Sequence, residues 1–248
     1  MLSKSQISFV KSLHQKKNRK DNGLFIVEGI KSVIEFTQSN YLIDTIFCTA
    51  QVMPKLVNFS QKIKLYQVTE AELTKISTLT TPQDVLALVQ IPQQTFINTK
   101  LFENSFTLVL DDIQDPGNLG TIIRTADWFG FQHIICSTNT VEVYNPKVVQ
   151  ASMGSLSRIK INYTHLPDFL KIVKAPIYGA LLNGKSIYET EFKTGGILVL
   201  GNEGNGITTD VLPHIEHQVT IPRYGHAESL NVAVSAAIFC SEIKRKHK

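Results

Sequence analysis

Three stretches of this sequence combine glycine, proline and short polar residues in a way that brings backbone and amide groups up to a ligand. The first is Asp111-Asp112-Ile113-Gln114-Asp115-Pro116-Gly117-Asn118-Leu119-Gly120. The second is Gly201-Asn202-Glu203-Gly204-Asn205-Gly206, and the third runs from Pro222-Arg223-Tyr224-Gly225 through His226-Ala227-Glu228 to Ser229-Leu230-Asn231. Each follows an apolar, strand-like run. In α/β sheets, ligands settle in the crevice beyond the carboxyl ends of the strands. Glycine lets backbone amides and carbonyls approach a ligand closely. Asn202, Ser229 and Asn231 supply hydrogen bonds or helix caps there. One such loop is ordinary turn chemistry; three in one half of a chain form a pattern.

Several chemistries are excluded. The second loop reads G-x-x-G-x-G and lies far from the first strand–helix turn, so the dinucleotide fingerprint fails. Neither a phosphate-loop lysine pattern nor a G-x-S-x-G nucleophile elbow occurs. His214 and His217 stand three apart with no supporting ligand cluster and read as surface or strand histidines, so no metal is expected. Cys48, Cys136 and Cys240 are odd in number and far apart, which predicts reduced, buried thiols in a cytoplasmic protein.

The elements that must hold these loops alternate. A basic helix is predicted over 6–20, then a strand at Leu24–Val27, a helix from Glu28 to Gln38, a strand from Ile43 to Thr49 and a helix from Val52 to Ser60. A strand over Lys64–Val68, a helix over Glu70–Ser77 and a strand over Asp84–Val89 complete a first α/β unit. The polar stretch 92–105 reads as a linker. The second unit opens with the buried-type strand Thr107–Leu110 and a helix over Leu119–Phe129 that Gly130 closes. Strands follow at His133–Cys136, Arg158–Asn162, Ile177–Leu182, Ile197–Leu200 and Gln218–Ile221. Helices are placed over Pro146–Met153 and Ser229–Lys246. The domain reading is therefore 1–91, a basic segment with a substrate-binding domain; 92–105, a linker; and 106–248, a second α/β domain.

The 248 residues carry a net charge of +4 and are 43% hydrophobic, an ordinary globular balance with no apolar run long enough for a membrane helix. The amino terminus has no apolar signal core, which again predicts a cytoplasmic protein. The basic residues cluster at Lys11, Lys16, Lys17, Arg19 and Lys20, and at Lys244, Arg245, Lys246 and Lys248. Such clusters fit a nucleic-acid partner or, equally, solvated tails and a dipole-compensated helix end.

The segment Asp115–Ala126 resembles the first motif of the SpoU (TrmH-like) RNA methyltransferases of the SPOUT superfamily. Leu198–Ile207 resembles their second motif and Ile221–Ala237 their third, in the same order and spacing. Leu24–Lys31 resembles the start of the family's ribosomal-protein-like substrate-binding domain. The resemblance implies a parallel α/β sheet whose carboxyl-terminal part threads a deep trefoil knot, with S-adenosylmethionine as cofactor. It assigns cofactor contacts to Leu200, Gly201, Asn202, Ile221 and Leu230. It also implies a homodimer through the last helix and the first-motif helix, where Val232, Ala233, Ala236 and Ala237 allow close approach; the same small residues would equally suit a monomer's core.

The implied reaction methylates a ribose 2′-hydroxyl of RNA, with ribosomal RNA ahead of transfer RNA as substrate. The hydroxyl must be deprotonated or nearly so and aligned with a sulfonium methyl, a strong electrophile that calls for no Lewis acid. By resemblance Arg124 is a base or a phosphate-binding group; an arginine stays protonated, which favours phosphate binding and charge stabilisation. Asn118 orients the loop or the RNA, or caps the helix at Leu119. Glu203 hydrogen-bonds in the catalytic pocket or serves as a turn carboxylate. Ser229 and Asn231, with Glu228 less directly, position the target nucleotide, tie the loop or cap the last helix. The competing class is a catalytically inactive RNA-binding relative, against which the intact Asn118, Arg124, Glu203, Ser229 and Asn231 stand.

Overall fold

The computed structural model describes residues 1–56, 63–93 and 97–247. Part of the helix expected over 52–60, part of the linker expected over 92–105, and Lys248 lie outside the described residues. In chain order the first elements are α1 (Lys4–Ser12), α2 (Lys16–Asn22), β1 (Leu24–Glu28), α3 (Ile30–Thr37), β2 (Ile43–Cys48), α4 (Met53–Leu56), β3 (Lys64–Gln67), α5 (Glu70–Ile76) and β4 (Val85–Gln90). Then come β5 (Phe106–Leu110), α6 (Pro116–Trp128), β6 (His133–Ser137), α7 (Pro146–Ala151), β7 (Lys160–Thr164), α8 (Leu166–Ile172), β8 (Ile177–Ser186), β9 (Gly196–Leu200), β10 (His217–Thr220) and α9 (Val232–Lys246).

The chain divides into two compact units, one of Met1–Gln93 with Glu142–Ser157, the other of Gln94–Val141 with Arg158–Lys248. The first holds a four-stranded mixed sheet in the order β1-β4-β2-β3, in which only β2 and β3 run parallel. Leu13, Ile26, Phe47, Leu73, Ile76 and Leu88 fill one core beside it. The segment Glu142–Ser157 is anchored in this unit by Tyr144, whose ring lies 4.6 Å from that of Phe25.

The single basic helix expected over 6–20 is broken in two. Arg19 is 2% exposed, and its guanidinium donates to the carbonyls of Leu13 and His14 at 2.9 Å each, so it satisfies the free end of α1 where the chain turns. The same guanidinium forms a fork with the Glu142 carboxylate. Arg19 is therefore not part of an exposed basic patch, whereas Lys11, Lys16, Lys17 and Lys20 are exposed.

The second unit holds a six-stranded, all-parallel sheet in the order β10-β8-β9-β5-β6-β7. Its central strands β5 and β9 are buried at every position, as strands covered on both faces must be. Helix α8 was not read from the sequence, although Leu166, Phe169 and Leu170 are spaced to bury one helical face and do so. Residues 97–105 are folded rather than loose: a 3-10 turn spans Thr99–Glu103, and Phe102 is buried in the core of this unit.

Of the carboxyl-terminal basic cluster, Lys244, Arg245 and Lys246 make intramolecular contacts. Lys244 lies 5.1 Å from the centre of the Phe131 ring. Arg245 pairs with Glu242, and Lys246 donates to the carbonyls of Tyr188 and Thr190 at 2.8 Å each.

Candidate active site

Helix α6 begins three residues before the expected Leu119. Asp115 is its N-cap, accepting from the Asn118 backbone N–H at 2.7 Å, and Pro116 occupies the first turn, where its missing N–H costs nothing. Asn118 is therefore not the cap, and its carboxamide is free for other partners. Its Nδ2 donates to Oε1 of Glu203 at 2.5 Å, and its Oδ1 accepts from Nδ2 of Asn231 at 2.9 Å. Asn231 in turn caps α9, its Oδ1 accepting from the N–H groups of Ala233 and Val234. The three Gly- and Asn-rich loops are thus joined side chain to side chain.

The second loop is rigid by construction. Asn202 and Gly206 exchange two backbone hydrogen bonds of 2.9 Å. The Asn202 Oδ1 accepts from the N–H groups of Gly204 and Asn205, while its Nδ2 donates to the carbonyl of Asp112 in the first loop at 2.8 Å. A β-carbon on Gly201 would stand 2.2 Å from the Gly206 backbone, and Gly206 has φ +69°, so neither position tolerates a side chain without distortion. The buried carboxylate of Asp111 accepts from the N–H of Thr208 at 2.7 Å and fixes the exit of the loop.

Beside this frame lies a cavity of about 960 Å³, lined by Ala180–Asn183, where the pairing of β8 with β10 shifts register, the loop Leu200–Ile207, Thr220–Gly225 and Ala227–Leu230. That volume is in the range of pockets for small molecules, about 300–1,000 Å³. Leu200, Gly201, Asn202, Ile221 and Leu230 all line it, and so do Glu203, Glu228 and Ser229. The Asn202 carboxamide is spent on the loops. The cavity offers apolar walls from Leu200, Ile207 and Leu230, backbone groups of glycine-rich loops and two carboxylates. A ligand with a flat heteroaromatic ring, a ribose and a cationic end fits that set, which is the make-up of S-adenosylmethionine.

Asn118 and Asn231 line a neighbouring hollow of about 580 Å³ between α6 and α9, with Thr121, Thr125 and Val234. Thr121 and Thr125, three and seven positions beyond Asn118, were not singled out from the sequence, although helical spacing puts them on its face. Arg124 is exposed on α6 and lines neither space. Ser229 is exposed and does not cap α9. Val232, Ala233 and Ala236 are buried within the chain.

Burial raises the Cys136 thiol well above its ordinary value and the Cys240 thiol to about 12, so neither is a thiolate near neutral pH. Among the described residues no group of three His, Cys, Asp or Glu is placed to hold a metal, and no helix is long and apolar enough to cross a membrane.

Residues 105–241 match the SpoU rRNA Methylase family, and residues 4–87 match the MRM3-like substrate binding domain. The chain is 33% identical over 239 residues to the 23S rRNA (guanosine(2553)-2'-O)-methyltransferase RlmP of Bacillus subtilis (strain 168), covering 94% of each. A TrmH-family protein from Porphyromonas gingivalis has a solved structure that superposes with a TM-score of 0.90 at 40% identity, covering 99% of both chains. The AdoMet-bound rRNA methyltransferase from Sinorhizobium meliloti superposes with a TM-score of 0.88 at 27% identity, covering 99% of this chain and 97% of that one. With one family matched across most of the second unit and a relative aligned nearly end to end, this chain belongs to the SpoU rRNA methylase family.

Proposed function

We propose that this protein transfers a methyl group from S-adenosylmethionine to a ribose 2′-hydroxyl of 23S ribosomal RNA. The observation that carries the reading is the meeting of three loops through Asn118, whose partner Glu203 lines the cavity formed by the second and third loops. The substrate follows from the relatives, whose names specify 2′-O-methylation of 23S rRNA. The cofactor follows from the AdoMet-bound rRNA methyltransferase that shares this fold. When bound, the cofactor supplies a sulfonium methyl, an electrophile strong enough for a hydroxyl aligned with it.

In this reading Leu200, Gly201, Asn202, Ile221 and Leu230 form the cofactor pocket, Gly201 and Asn202 through their backbone. The trefoil threading of the family belongs to the reading, because both the second and the third loop return to that pocket. Asn118 and Glu203 hold the ribose hydroxyl, with Asn231 fixing the orientation of Asn118. Arg124 grips a phosphate of the RNA and stabilises charge near the hydroxyl as its proton passes to water. Ser229 and Glu228 border the place of the target nucleotide.

The amino-terminal domain read over 1–91 binds RNA, with Lys11, Lys16, Lys17 and Lys20 as phosphate contacts, and the domain read over 106–248 carries the transfer. Two copies pair through α6 and α9, supported by the exposure of Val234 (49%) and Trp128 (84%) on those helices. The protein works in the cytoplasm, on which its three buried free cysteines also bear.

Calorimetric titration with S-adenosylmethionine, with NADH in parallel, tests the pocket. Methylation of unmodified 23S rRNA and transfer RNA transcripts, read as 2′-O-methylnucleosides by mass spectrometry, tests the reaction. Saturable binding of S-adenosylmethionine alone and a methylated ribose in 23S rRNA are expected. Binding of NADH instead, or methylation only at a base nitrogen, overturns the reading.

A further inference from the structure

Tyr224 is 94% exposed, the most exposed aromatic side chain among the described residues. A tyrosine ring ordinarily gains its stability by covering a large apolar area, and elsewhere in this chain rings do so: Phe25, Phe36 and Tyr41 pack edge to face with one another. Tyr224 instead stands on the third loop, in a stretch from Arg223 to Asn231 that is exposed at every position. A β-carbon on the adjacent Gly225 would meet nothing within 4 Å, so the loop has open space on that side.

The ring borders the same cavity as Gly201, Glu203 and Leu230. Its neighbour Arg223 is also exposed and makes one long hydrogen bond, 3.4 Å to the carbonyl of Ala227 within its own loop, which leaves most of its N–H groups available. An aromatic ring and a guanidinium on consecutive residues, both lining the cavity that Glu203 also lines, match the two chemical parts of a nucleotide. Bases stack on aromatic faces, and guanidinium groups bind phosphate.

Resting on the proposed function, we infer that Tyr224 is the platform on which the base of the methylated nucleotide stacks, with Arg223 holding its phosphate. A base stacked on Tyr224 is not stacked on its own neighbours. The substrate is therefore a nucleotide that is unpaired in a loop or turned out of a helix, the form in which RNA bases are most open to protein side chains. Stacking tolerates any base, so Tyr224 selects for an extruded nucleotide rather than for a sequence.

Steady-state methylation of unmodified 23S rRNA transcript by the full-length protein tests this, with Tyr224→Ala, Tyr224→Phe and Arg223→Ala beside the wild type and S-adenosylmethionine affinity measured for each. Tyr224→Ala is expected to raise KM for RNA about tenfold or more and to change kcat and S-adenosylmethionine affinity less. Tyr224→Phe, which keeps the ring, should restore KM. An active wild type with Tyr224→Ala unchanged in KM, or with Tyr224→Phe as impaired as Tyr224→Ala, overturns the stacking role alone. A wild type that neither binds S-adenosylmethionine nor methylates RNA overturns the proposed function, and this inference with it.

Discussion

The Asn231 carboxamide donates to the carboxamide oxygen of Asn118 at 2.9 Å, joining residues 113 positions apart. The same Asn118 donates to Glu203, so its orientation is set from both sides. A side chain fixed at both ends offers a reacting group a preorganised partner, which is how such contacts become large in a transition state.

Asn118→Ala is accordingly expected to lower kcat on the order of 10²-fold with S-adenosylmethionine affinity retained. Asn231→Ser keeps a helix-capping oxygen but is too short to reach Asn118, and it should lower kcat by less. The double variant should lose no more than Asn118→Ala alone, because residues acting as one unit are not additive. Losses that simply multiply would show that Asn231 acts independently of Asn118.

Arg124 is exposed on α6, so its removal should leave the fold and the cofactor pocket intact. Arg124→Ala is expected to abolish methyl transfer while thermal unfolding and S-adenosylmethionine titration match the wild type. Undiminished turnover in this variant removes Arg124 from the reaction.

RNA affinity should fall steeply with salt, since phosphate contacts release counterions. Lys16, Lys17 and Lys20 are exposed, whereas Arg19 between them is buried. Each exposed lysine changed to alanine should reduce the slope of log affinity against log salt by about one unit or slightly less. A slope that no lysine variant changes would move the RNA contacts elsewhere on the surface.

Arg19 serves stability instead. Its guanidinium is held by the Glu142 carboxylate and two carbonyls, so Arg19→Ala strands a carboxylate and opens the end of α1. The expected loss is about 3–5 kcal/mol in urea unfolding, the usual cost of breaking a buried ion pair from one side. A loss comparable to that of an exposed lysine would mean that the pair is not formed in solution.

Much of the fold was legible because its signals are local. Buried parallel strands such as Leu108–Leu110 and Ile197–Leu200 read as apolar runs. What was misread had a non-local cause. The basic run 6–20 looks like one helix until Arg19 turns inward to satisfy the carbonyls of Leu13 and His14, a bond supplied from within the run but stabilised by Glu142 far along the chain. In the cationic tail of α9, which fits an RNA contact or a dipole-compensated helix end alike, Lys246 is bonded to carbonyls that follow β8. Composition counts charges, but burial decides which of them face water.

The sequence by itself determined the family, the alternation of strands and helices, and the three Gly- and Asn-rich loops, because motif order and periodicity are properties of the chain read in one dimension. Only the tertiary structure decided which partners each polar side chain holds. Asn118 could cap a helix or hold a reactant; Asp115 takes the cap, and Glu203 and Asn231 take Asn118. Asn202, by contrast, is consumed in tying two loops together. A carboxamide has few hydrogen-bonding positions, and the partners that fill them come from strands and loops that are adjacent only once the sheet has formed.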